Sequence, residues 1–165
     1  MVVEIGTSDY DTLAGKVDGV FIEPVKYYFD KLPDCKKENV AIGTKEGVVD
    51  MYYTTEEVIQ ELGMEWYARG CSNVGEIHPW TYDELIRLGY DNPMDYISIQ
   101  SIQMVRIKSI IDKYNITEIS LLKLDAETWD IAILNDFLDT VDILPDVIQF
   151  EVYSAHSNYL KRLND

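Results

Sequence analysis

Glycine is missing where a dinucleotide-binding protein needs it most. The chain opens on "VVEIGTSDYDTL", residues 2 to 13, a β-branched run ending at Gly6 and a polar turn, without the further glycines of the usual fingerprint. A pyrophosphate requires close backbone approach at that turn, so the shortage counts against a nicotinamide cofactor. Basic residues are also scarce, with fourteen against thirty acidic ones and a formal net charge of -16. Such a field repels phosphate backbones and anionic lipid, which argues against nucleic-acid and membrane partners. Lys31, Lys36 and Lys37 cluster in "KLPDCKKENV", but Asp30, Asp34 and Glu38 lie among them, as on a solvated face. The two cysteines, Cys35 and Cys71, lack metal-ligand spacing and form no disulfide framework. No apolar run approaches the roughly 20 residues that span a bilayer, and the opening carries no charged segment leading into an apolar one. The expectation is a reduced, cytoplasmic protein.

What is present reads as a folded domain spanning residues 1–165, with 47% apolar and 27% charged residues. Short apolar runs predict buried strands at 2–6, 19–24, 39–43, 118–125 and 146–153. Being apolar on both faces, they suggest a parallel sheet covered by helices. Helical candidates lie between and after them at 25–33, 105–115, 128–141 and 157–165. The alternation predicts an α/β, doubly wound fold. "GVVDMYYT" adds an extra strand, and the rest of the segment at about 52–99 reads as an irregular insertion on the substrate side.

In such a sheet, ligands bind beyond the carboxyl ends of the strands. The first strand there delivers Gly6, Thr7, Ser8 and Asp9; the second, Glu23 and Pro24; the third, Ala41 and Ile42; the fourth, Asp125 and Glu127. Glu23 can accept hydrogen bonds from both ribose hydroxyls, or it is a surface carboxylate before a turn proline. A cofactor without phosphate, such as S-adenosylmethionine, tolerates the looser first turn. Ser8 and Asp9 could meet its amino and carboxylate ends, or simply cap a helix. Asp125 and Glu127 either favour a helix dipole or orient an acceptor and remove its proton.

Five stretches in order, "VVEIGTSDYDTL", "GVFIEPVKYYFDKL", "NVAIGTKEG", "SIIDKYNITEISLLKLDAETWDIAIL" and "DVIQFEV", resemble the FkbM-like S-adenosylmethionine-dependent methyltransferases. "IEP" and "LLKLDAE" are the most specific pieces. The resemblance implies a class I, Rossmann-like methyltransferase sheet and methyl transfer to oxygen, often a hydroxyl of a sugar or other small molecule. It also implies Glu4, Gly6, Ser8 and Asp9 around the methionine moiety, Glu23 on the ribose, Ala41 and Ile42 against adenine, and Asp125 and Glu127 facing the methyl group.

Three positions depart from the pattern. Tyr10 stands where a second glycine is common, Thr128 replaces the glycine after the fourth-strand Glu, and the chain ends one helix after the fifth strand. The C-terminal antiparallel hairpin is therefore expected to be absent, leaving an exposed fifth-strand edge that self-association into a homo-oligomer would cover. His78, in the long loop, is the first candidate for the base; Asp125 and Glu127 are the second. Together with Glu151 these two could also offer oxygen ligands to a cation, although no metal is assigned. Trp66, Tyr67 and Trp80 could stack on a ring. Two rivals stay open: a non-catalytic binding protein that keeps the fold, and an NAD-dependent oxidoreductase, which the glycine-poor turn disfavours.

Overall fold

The computed structural model describes residues 1–8 and 11–151. In chain order its strands are β1 (Val2–Ile5), β2 (Gly19–Ile22), β3 (Lys37–Glu38), β4 (Ala41–Ile42), β5 (Gly47–Tyr53), β6 (Asn73–Val74), β7 (Ser98–Val105), β8 (Leu121–Leu124) and β9 (Ile148–Gln149). Its α-helices are α1 (Lys26–Phe29), α2 (Glu56–Leu62), α3 (Pro79–Arg87), α4 (Ile107–Lys113) and α5 (Asp130–Thr140). A parallel sheet has the order β3-β2-β1-β8-β9. The α/β, Rossmann-like architecture expected from the sequence is the one observed, with β1 and β8 flanking the point where strand order reverses.

Alternation along β1, β2 and β8 decides which face each residue covers. Val3, Ile5, Val20, Ile22, Leu122 and Leu124 join one core with the isoleucines of α4 and with Ile133, Leu134 and Phe137 of α5. Burying each such side chain contributes about 1.5–3 kcal/mol. Glu4, Phe21 and Lys123, in register across the three strands, belong to the alternate set. Phe21 packs on Ala14 and Leu32, while Lys123 Nζ donates to Glu4 Oε1 at 2.9 Å in a buried ion pair.

The expected third strand at 39–43 is two strands in two sheets. Lys37–Glu38 extends the parallel sheet, whereas Ala41–Ile42 pairs with β7 in a second sheet of order β4-β7-β5-β6. Asn39 sits at the crossing, and its side-chain amide donates to the carbonyls of Glu23 and Pro24, both at 2.9 Å. The expected extra strand is β5, and it pairs antiparallel with β7, a strand that the apolar pattern does not predict. Met51, Ile102 and Met104 bury one side of this second sheet against Val25 and Tyr28.

The segment at 52–99 is more regular than expected. Thr55 caps α2 by accepting from Val58 N, and Gly63 ends it in a left-handed conformation (φ 64°). Pro79 opens α3, where its missing N–H costs nothing. Ile59, Met64, Ala68 and Leu85 give the segment its own small core. The expected helix at 157–165 and the end of the fifth strand lie outside the described residues. Among those described, no helix is long and apolar enough to cross a membrane.

Candidate functional site

Gly6 follows β1 with φ +76°, and a β-carbon there would lie 1.7 Å from the Asp125 carbonyl oxygen. Only glycine satisfies both constraints. Gly6 N donates to Ile22 O and Asp125 N donates to Ile5 O, both at 2.9 Å, so three strand ends are laced together at the switch point.

Over these ends lies a pocket with an empty volume of about 660 Å³, mouth included. It gathers Gly6, Ser8, Glu23, Pro24, Ala41, Ile42, Asp125 and Glu127 from among the residues expected at the site. Glu23 is buried, and its carboxylate is already organised. Oε2 accepts from Ser8 N at 2.7 Å and from Thr7 Oγ1 at 3.4 Å; Oε1 accepts from Val25 N at 2.8 Å. The carboxylate thus fastens the loop after β1 to the start of α1. Ser8 is itself left-handed (φ 46°), and its Oγ is buried without a hydrogen-bond partner among the described residues.

Glu4 does not line this pocket. Its Oε2 accepts from Thr12 Oγ1 at 3.0 Å and Leu13 N at 2.9 Å, and Oε1 takes Lys123, so it anchors the loop from the far side of the sheet. Asp9 and Tyr10 lie outside the described residues. The pocket is completed by residues that no sequence motif singles out: Tyr28, Met51, Arg69, Ser72, Asn73 and Trp129. The loop carrying Arg69, Ser72 and Asn73 is marked by its Gly, Ser and Asn content, but no spacing identifies the individual side chains. Gln100 carries no sequence signal either; it accepts from Lys26 N at 2.9 Å and donates to Pro24 O at 3.1 Å, pinning the start of α1.

A second pocket adjoins the first. It is lined by His78, Tyr67, Trp80, Lys123, Asp11, Cys71 and Glu151, among others, and Asp125 and Glu127 line both pockets. His78 therefore belongs to the second pocket. Its Nε2 lies 3.3 Å from Glu127 Oε2, and its Nδ1 is buried without a partner among the described residues. Glu127 holds a left-handed backbone (φ 56°), a strain of the kind that concentrates at functional positions. Asp130, fully buried, braces this corner. Its Oδ1 accepts from Ala126 N at 2.6 Å and its Oδ2 from Glu151 N at 3.2 Å, which ties the loop after β8 to the end of β9.

The crowded carboxylates change one another's acidity. Burial, then Glu127 and Asp130, push the Asp125 carboxyl up to about 7. Burial chiefly raises Asp130 to about 6, against the two backbone N–H groups that favour its ionised form. The Cys71 thiol is pushed up to about 12 by burial and then by Glu127, Glu151 and Asp125, which leaves it protonated and no nucleophile. No group of three or more His, Cys, Asp or Glu side chains among the described residues is arranged to hold a metal ion.

No curated protein and no solved structure matches the chain. A family model does, that of the methyltransferase FkbM domain, over residues 6–164. That match runs from the Gly6 turn through the Asp125–Glu127 corner and covers nearly all of the sequence. The chain belongs to the FkbM methyltransferase domain family.

Proposed function

We propose that this protein is an S-adenosylmethionine-dependent methyltransferase acting on a hydroxyl of a small molecule or sugar. The observation that carries the reading is the position of Asp125 and Glu127, the two residues of the fourth-strand motif, at the boundary of two adjoining pockets. One pocket suits the cofactor and the other its acceptor.

The first pocket has the features that a phosphate-free nucleoside cofactor requires. Glu23 puts a buried carboxylate at the end of β2 in this pocket, where it would meet the ribose hydroxyls. Ile42, Ala41 and Met51 supply apolar walls for a base, and Ser8 Oγ, without a partner among the described residues, adds a polar group to the lining. Bound there, the cofactor supplies an electrophilic methyl group on a sulfonium centre.

The chain's own residues then have two tasks, alignment and proton removal. Asp125, with no hydrogen bond to its carboxylate among the described residues and a pKa near neutrality, is the base we assign. His78 is better placed to hold Glu127 than to reach an acceptor, since its Nδ1 is buried and its Nε2 faces that carboxylate. Glu127, held by His78, orients the acceptor hydroxyl toward Asp125.

Calorimetric titration with S-adenosylhomocysteine tests the assignment. Micromolar binding, weakened roughly tenfold or more by Glu23→Ala through loss of charge-assisted hydrogen bonds, is the expected result. Absence of binding to the unaltered protein would overturn it.

A further inference from the structure

We infer that the acceptor is a positively charged ring compound, a hydroxylated amine of the aminosugar type, and this rests on the methyltransferase reading. The second pocket carries the argument. Among the described residues its lining includes four carboxylates, Asp11, Asp125, Glu127 and Glu151, and one lysine, Lys123. That lysine is directed mainly at Glu4, at 2.9 Å; it also donates to the Asp11 carbonyl and lies 3.7 Å from the exposed Asp11 carboxylate. His78 is 8% exposed and lines the same pocket, with Nδ1 unpartnered among the described residues.

The same lining is also aromatic. The rings of Tyr67 and Trp80 are 4.9 Å apart and tilted by 53°, and Phe150 also lines the pocket. Aromatic faces bind the apolar face of a saturated ring and attract cations. Carboxylates beside aromatic faces select for positive charge and against anions, and the net charge of -16 adds to that preference at longer range. The ammonium lies at the rim formed by Asp11 and Glu151, while the hydroxyl reaches Asp125 at the boundary with the cofactor pocket. The four carboxylates disfavour a phosphorylated or carboxylated acceptor.

Three probes share one ring shape and differ in charge: glucosamine, glucose and glucuronate. Each is titrated by calorimetry into the protein saturated with S-adenosylhomocysteine and into the cofactor-free protein. Glucosamine should bind about tenfold more tightly than glucose, with glucuronate weakest, as expected for a partly desolvated charge contact. Asp11→Asn, at an exposed side chain, should reduce the preference about threefold and leave S-adenosylhomocysteine binding unchanged, and salt raised from about 0.05 to about 0.5 M should also reduce it. Equal or tighter binding of glucose or glucuronate overturns the inference, as does failure of glucosamine to bind either form. Failure of S-adenosylhomocysteine to bind overturns the methyltransferase reading instead, and the cofactor-free titrations still decide the charge preference.

Discussion

The Asp125 carbonyl oxygen occupies the space that a side chain on Gly6 would need, 1.7 Å from the position of its β-carbon. The two strand ends that floor the pocket can therefore approach only over a glycine. Gly6→Ala should destabilise the fold by at least about 2 kcal/mol, from the positive φ and the clash together. Thermal or denaturant unfolding checks this. A loss within about 0.5 kcal/mol, the range of an ordinary surface substitution, would show that the floor can spread.

Glu23→Gln separates two roles that Glu23→Ala removes together. Glutamine keeps an oxygen for one of the two backbone donors, Ser8 N and Val25 N, now shared by the carboxylate. It should weaken S-adenosylhomocysteine by roughly threefold to tenfold, less than alanine does, because one charge-assisted bond is replaced rather than lost. Equal loss in both variants would place the whole effect in the ligand contacts.

Asp125 sets a pH dependence. As a base with a pKa of about 7, it should give a methyl-transfer rate that rises through neutral pH and levels above it. Asp125→Asn should abolish that limb and lower the rate by about 10²-fold or more. Stability runs the other way. A carboxyl whose folded pKa is raised binds its proton more tightly in the native state, so its contribution is full below about pH 4 and is lost as pH rises through about 7, and for Asp130 through about 6. The melting temperature should fall between about pH 4 and 7 and level off above that, and less steeply in Asp125→Asn, which differential scanning calorimetry reads directly.

The buried Glu4–Lys123 pair should behave asymmetrically. Lys123→Met leaves the Glu4 carboxylate buried without its cation and should cost about 3–5 kcal/mol. The double substitution Glu4→Leu with Lys123→Met should recover a large part of that loss, which a double-mutant cycle in urea measures. Additive losses would mean that the Glu4 bonds to Thr12 and Leu13, rather than the ion pair, hold the loop.

Legibility tracks the apolar pattern. Strands buried on both faces stand out in the sequence, and the residues just beyond their carboxyl ends, Gly6, Glu23 and Asp125, converge at one pocket because a parallel sheet brings those ends together. β7 is obscure because its outward side carries Ser101 and Gln103, so Ile102 and Met104 alone mark a strand that is half solvated. The crossing at Asn39 turns on side-chain amide bonds to carbonyls fifteen and sixteen residues away, which leave no periodic trace. Glu4 shows the reverse case. Its place between Val3 and Ile5 already puts it on the other face of the sheet from them, and its partner Lys123 is set by register, which only the folded chain supplies.

The pairing of β1 with β8 joins residues 119 positions apart, as in Lys123 to Glu4. Loop closure over that separation carries an entropic cost that local contacts cannot offset early, so high contact order slows this step. During synthesis the amino-terminal strand waits without its central neighbour until the Asp125 segment has emerged. A ribosome-bound chain stopped before Leu121 should therefore lack the pocket floored by Gly6 and Asp125 even with β2, α1 and the whole second sheet already made.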